Sequence, residues 1–122
     1  MSRAVMVVED NRLHRRLYCA ILQSQGYDPI EVSDGKDALS IATSSKFVAA
    51  VIDILLLGID GREIIKALRL DHRTVLLPIL AVSAMSQLET EQSCIEAGAN
   101  CFYAKPVALT TFIRAMSHLT MA

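Results

Sequence analysis

The stretch Phe47-Val48-Ala49-Ala50-Val51-Ile52-Asp53-Ile54-Leu55-Leu56-Leu57-Gly58-Ile59 decides the fold. It is the most apolar run of the chain, and one carboxylate, Asp53, interrupts it. The run is too short for a membrane-spanning helix, which needs ~20 apolar residues. Val75–Val82 is shorter still and contains Pro78. Residues 48–52 are continuous, apolar and partly β-branched. That pattern predicts a strand buried on both faces, as in a parallel sheet. Asp53 then stands at the strand's carboxyl end.

Working outward, the same kind of run recurs on both sides. Ala4–Val8 and Pro29–Val32 precede it, and Ile79–Val82 and Cys101–Ala104 follow. Amphipathic segments lie between. The first spans about Leu13 to Gln25, with Leu13, Leu17 and Ile21 at helical spacing as its inward stripe. Asn11 can cap its start and Gly26 can close its end. The second covers about Lys36 to Thr43. The third opens at Asp60-Gly61-Arg62-Glu63, a capping-box-like arrangement, and carries Ile64, Ile65 and Leu68 inward. The fourth, about Gln87 to Ala97, has few apolar positions (Leu88, Cys94, Ile95) and stops at Gly98. The fifth carries Leu109, Phe112, Ile113, Met116 and Leu119. The alternation predicts one α/β domain over residues 1–122, a doubly wound parallel sheet with helices on both faces.

Composition agrees. The chain has 122 residues, 52% of them hydrophobic, enough to fill a core at this length. Twelve basic and thirteen acidic residues give a net charge of −1, without the basic excess of a nucleic-acid binder. Cys19, Cys94 and Cys101 lack metal-ligand spacing and read as free thiols in a reducing cytoplasm. The N-terminus does not read as a signal peptide. His14, His72 and His118 read as surface residues rather than ligands. Arg12, Arg15 and Arg16 read as solvated surface or a partner contact.

In doubly wound sheets the functional crevice lies past the carboxyl ends of the strands. Glu9 and Asp10 follow the first run, Asp53 ends the third, Ser83-Ala84 follows the fourth, and Lys105-Pro106 ends the fifth. Asp10 or Asn11 could serve only as a helix cap. Taken together, three carboxylates, a hydroxyl and an ammonium would converge on one edge of the sheet. Clustered carboxylates repel unless a cation joins them. An oxygen-rich site with open positions suits Mg²⁺.

These residues resemble the receiver domain of bacterial two-component response regulators, over essentially the whole chain. The matching elements are Val8-Glu9-Asp10-Asn11, Asp53 followed by Gly61, Ser83-Ala84, Gly98-Ala99 and Lys105-Pro106. The resemblance implies a CheY-like, flavodoxin-like fold with strand order 2-1-3-4-5. It implies that Asp53 is the phospho-acceptor. Glu9, Asp10, Asp53 and the backbone carbonyl of Leu55 would hold Mg²⁺, with Mn²⁺ able to substitute. Ser83 would be the switch hydroxyl, Phe102 the switch aromatic, and Lys105 the phosphate-binding lysine. Implied partners are a sensor histidine kinase or a histidine phosphotransfer protein. A downstream target would bind the fourth helix, fifth strand and fifth helix. Phosphorylation would at most produce a weak homodimer, and neither nucleic acid nor membrane is implied. Catalysis would be confined to the protein's own phosphorylation and dephosphorylation.

Val8–Asn11, Gln25-Gly26-Tyr27 and Ala38–Ala42 also resemble stand-alone DivK-type cell-division regulators. The chain leaves no room for an output domain, so a stand-alone regulator or relay intermediate is expected. The alternatives are a domain of a hybrid kinase, or a receiver that binds partners without phosphorylation. Two other classes fit less well. A haloacid-dehalogenase-like phosphatase wants an acid where Leu55 stands. A flavodoxin-like cofactor binder would set its phosphate against Glu9 and Asp10.

Departures from the family pattern carry expectations of their own. Family members usually have Pro where this chain has Leu57, so a more mobile loop is expected. Leu55 and Met85 flank the site and offer no hydrogen bond to an attacking water, which implies slow loss of a phosphoryl group. The alternative is that both side chains turn away and serve packing.

Overall fold

The computed structural model describes residues 3–85 and 87–121. The elements are β1 (Ala4–Val8), α1 (Arg12–Ser24), β2 (Asp28–Val32), a short 3-10 turn (Gly35–Asp37) leading into α2 (Ala38–Ser44), β3 (Ala49–Asp53), α3 (Gly61–Leu70), β4 (Ile79–Ser83), α4 (Leu88–Ala97), β5 (Cys101–Ala104) and α5 (Leu109–Leu119). All strands are parallel, in the order β2-β1-β3-β4-β5.

Alternation along the strands divides the core in two. Met6, Val8, Ala50, Ile52, Ile79 and Ala81 face α2, α3 and α4. Val5, Val7, Ala49, Val51, Leu80 and Val82 face α1 and α5. Only the three inner strands are buried across both faces. The run at residues 29–32 forms an edge strand, where Ile30 and Glu31 are exposed, and Pro29 is tolerated there because an edge position need not donate to a ladder.

Local signals act much as their chemistry dictates. Asn11 Oδ1 accepts from the His14 N–H at 3.0 Å, and Gly26 takes φ +86 past the end of α1. Asp60 caps α3 by accepting from the Arg62 N–H at 2.8 Å. The reciprocal half of a capping box does not form, because Glu63 turns to Lys66 instead. Gly61 is required by close approach: a Cβ there would strike the Asp53 carbonyl.

One helix face differs from expectation. On α1 the buried residues are Tyr18, Cys19 and Leu22, whereas Leu13 and Leu17 are 77% and 57% exposed. Tyr18 stacks on Phe112 of α5 with ring centroids 5.2 Å apart, which turns the leucine stripe outward. On α5, Phe112, Ala115 and Met116 are buried and Leu109 is exposed.

Helix α4 buries only Thr90, Cys94 and Ala97, with Leu88 and Ile95 exposed. Polar bonds from α3 supplement that thin contact. Arg62 donates to Ser93 Oγ at 2.9 Å, and Arg69 donates to the Gly98 carbonyl at 2.9 Å and to Asn100 Oδ1 at 2.9 Å. At the opposite pole from the strands' carboxyl ends, Arg3 lies over the Tyr27 ring, and the Tyr27 hydroxyl meets Thr120 Oγ at 2.7 Å. No helix among the described residues is long and apolar enough to cross a membrane.

Candidate functional site

The sheet ladder continues one residue past several strands and so sets the crevice. The Glu9 N–H donates to Val32 O, the Ile54 N–H to Val82 O, and the Lys105 N–H to Ser83 O at 2.8 Å. Asp53 pairs with Val82 in register, and Ser83 with Ala104. Four of the residues picked out from the sequence thereby come together. One carboxylate oxygen from each of Glu9, Asp10 and Asp53 lies within 4.8 Å of the others. Lys105 Nζ donates to Glu9 Oε1 at 2.5 Å and to Asp53 Oδ2 at 3.0 Å.

Burial makes this charge cluster consequential. Glu9 and Asp53 are 1% and 4% exposed. Desolvation pushes the Glu9 carboxyl up to about 7, and its hydrogen bond with Asp53 adds to the rise against the opposing pull of Lys105. Burial by itself would lower the Lys105 value. The bonds to Glu9 and Asp53 outweigh it and raise the net result. Three carboxylates against one ammonium leave excess negative charge, which is the condition that favours a divalent cation on oxygen ligands.

The Asp10 carboxylate has its own holder. Asp10 Oδ2 accepts from the backbone N–H of Leu57 at 2.6 Å. A proline at this position would have no hydrogen to give. The departure at Leu57 therefore adds a contact to the site, where only a lost turn constraint was expected.

The remaining candidates sit around this centre. Ser83 is fully buried, and its Oγ accepts from the Met85 N–H at 3.0 Å. The Leu55 N–H donates to Asp53 Oδ1 at 3.2 Å, while its side chain is half-exposed. Met85 is partly buried. Phe102 is not in the crevice. It packs, partly buried, against the core on the α4 side.

Two basic residues have contacts that the sequence reading did not foresee. His14 is a surface residue, as expected, but its Nδ1 lies 3.2 Å from Lys105 Nζ and 3.5 Å from Glu9 Oε1. The sequence did hold a sign of this, since Asn11 as a cap places His14 in the first turn above the acidic pair. Arg15 is not solvated surface. It donates to Glu31 Oε1 at 2.9 Å and to the Glu9 carbonyl at 3.0 Å, whereas Arg12 and Arg16 are exposed. All three cysteines are free, as expected, and burial pushes the Cys19 and Cys101 thiols up to about 11.

Known proteins resemble this chain in sequence and overall structure. The polar-differentiation response regulator DivK of Brucella anthropi is 30% identical over 113 residues, covering 93% of this chain and 92% of that protein. The chemotaxis protein CheY4 of Vibrio cholerae has a similar structure, with TM-score 0.91, 25% identity, and coverage of 98% of this chain and 99% of that one. So does the receiver domain of a sensor histidine kinase from Pseudomonas aeruginosa, with TM-score 0.90, 27% identity and 98% coverage of both chains. That structure has a magnesium ion coordinated in its active-site cleft. The response regulator receiver domain family matches residues 5–117, and the chain belongs to that family.

Proposed function

We propose that this receiver accepts a phosphoryl group on Asp53 from a phosphohistidine and thereby switches a protein-binding surface. The observation that carries the proposal is the Lys105 ammonium 3.0 Å from Asp53 Oδ2, in a crevice where three carboxylates converge. Glu9, Asp10 and Asp53, with the Leu55 carbonyl, would hold Mg²⁺, and Mn²⁺ suits the same oxygen donors. Bound there, the cation supplies neutralisation of charge on the transferring phosphoryl oxygens.

The protein's own groups do the rest. An Asp53 carboxylate oxygen gives an electron pair to phosphorus while the donor's phosphorus–nitrogen bond breaks. Lys105 leaves its carboxylate partners for a phosphoryl oxygen. The Ser83 hydroxyl exchanges the Met85 amide for the same group. Phe102 follows into the space that Ser83 leaves, remodelling the α4-β5-α5 face. Catalysis stays confined to the protein's own phosphorylation and its reversal.

A groove of ≈ 340 Å³ that shares Lys105 with the site, and is lined also by His14, Leu17, Ile21 and Val107, suits an apolar helix presenting a phosphohistidine. A histidine kinase or histidine phosphotransfer protein is the donor class. Similarity to DivK over nearly its full length favours a stand-alone regulator of cell division or polarity. Similarity to a receiver from a sensor kinase supports a second reading, as part of a hybrid kinase. Free thiols and a net charge of −1 favour a cytoplasmic protein working through protein contacts rather than on nucleic acid.

The test is intact-mass measurement after incubation with Mg²⁺ and acetyl phosphate. A gain of one phosphoryl group that Asp53→Asn abolishes is expected. No gain in the parent, or a gain that survives the substitution, sinks the proposal. Followed in time, the same adduct should decay slowly in the parent and faster in the Leu55→Asn, Met85→Glu variant.

A further inference from the structure

His14 stands on the first turn of α1, where the Asn11 cap fixes its backbone N–H at 3.0 Å. Its side chain is 45% exposed, at the rim of the crevice. Its Nδ1 is 3.2 Å from the Lys105 ammonium. An ammonium has three hydrogens to give and no lone pair, so this contact is a hydrogen bond in the tautomer that leaves Nδ1 without a hydrogen; the same Nδ1 lies 3.5 Å from Glu9 Oε1.

Lys105 thus has three partners here: Glu9 at 2.5 Å, Asp53 at 3.0 Å and His14 at 3.2 Å. Two of them are carboxylates that the proposed cation would engage. The third is an imidazole nitrogen on a separate element, anchored by its own cap. When the carboxylates turn elsewhere, this partner, alone of the three, keeps its lone pair directed at the lysine.

We infer that His14 is a positioning residue: its Nδ1 accepts from Lys105 and keeps the ammonium at the α1 side of the crevice, ready for a phosphoryl oxygen. The inference rests on the reading of Asp53 as phospho-acceptor only for its purpose. The contact itself stands or falls independently.

The geometry makes a selective demand on substitutions. Asparagine places an acceptor oxygen at the same branch point as Nδ1. Glutamine carries its acceptor one bond further out. Leucine keeps comparable bulk without an acceptor.

The experiment has two arms. In the first, protein with ¹⁵N-labelled lysine is used to follow exchange of the Lys105 ammonium hydrogens with water by NMR, with and without Mg²⁺. Exchange in His14→Asn should match the parent, and in His14→Leu it should be faster by about tenfold, as loss of a hydrogen bond to a charged group implies. Exchange in His14→Leu within about twofold of the parent in both conditions would overturn the contact. In the second arm, phosphorylation by acetyl phosphate should slow about tenfold in His14→Leu and recover in His14→Asn but not in His14→Gln. In a Lys105→Met background the leucine substitution should cost nothing more. A further loss in that background would show that His14 acts other than through Lys105. A parent that takes no phosphoryl group would refute the function proposed above, while the exchange arm would still decide the contact.

Discussion

The N–H of Leu57 is the group that a proline would delete, and Asp10 depends on it. Hydrogen bonds that orient a ligating carboxylate typically contribute 10–100-fold in metal affinity. Leu57→Pro should therefore weaken Mg²⁺ binding by about tenfold, measured by titration calorimetry. Equal or tighter binding would show that the ring's stiffness outweighs the lost donor. At this scale the sequence was legible wherever a residue ends a strand. Glu9, Asp10, Asp53 and Lys105 meet because parallel strands deliver their carboxyl ends to one edge. His14 was illegible by that rule, since its place depends on how a cap rotates the first turn of a helix. The role of Leu57 was hidden because a backbone donor has no signature in side-chain chemistry.

Among elements, α1 and α4 show what periodicity leaves undecided. On α1, two sets of residues share helical spacing: Leu13, Leu17 and Ile21, and Tyr18 with Leu22. Hydropathy favours the aliphatic set. The sheet takes the other, because Tyr18 stacks on Phe112 and fills the space beside α5. Leu17 and Ile21 of the outward set then become part of the groove at the site. For α4 the sequence showed a weak apolar face, and the structure agrees, yet the arginines that reach it from α3 could not be paired with partners thirty residues on. Arg62 both grips Asp60, beside the β3–α3 loop, and reaches Ser93 on α4. Arg62→Leu keeps the stem and removes those bonds. Amide hydrogen exchange in α4 should accelerate by about tenfold while the core of α3 is unchanged, since its capping Asp60 still accepts from the backbone N–H. Unchanged exchange in α4 would mean that apolar contact alone holds the helix.

For the molecule as a whole, the buried Glu9 links stability to pH. Its carboxyl titrates at about 7 in the folded protein, against an ordinary value of 4.5. Between these values the folded state holds a proton that the unfolded chain releases, so stability falls as pH rises through that window. The full effect is on the order of 3 kcal/mol at most. Thermal unfolding of metal-free protein, followed by circular dichroism because the chain has no Trp, should show Tm declining from pH 5 to 7. Glu9→Gln should flatten the decline, and a parent no steeper than this variant would refute the linkage. The five strands were legible almost to the residue, because each is a short apolar run with a polar end; which strands lie at the edges was set by pairing order and not by hydropathy. The contact between Arg3, Tyr27 and Thr120 draws both ends of the described chain together at the pole opposite the crevice. A fluorescent reporter or a neighbouring module spliced onto either end would thus emerge away from Asp53. A short linker joining the ends would make a circular permutant whose new termini can be cut in an exposed loop, with the crevice left untouched.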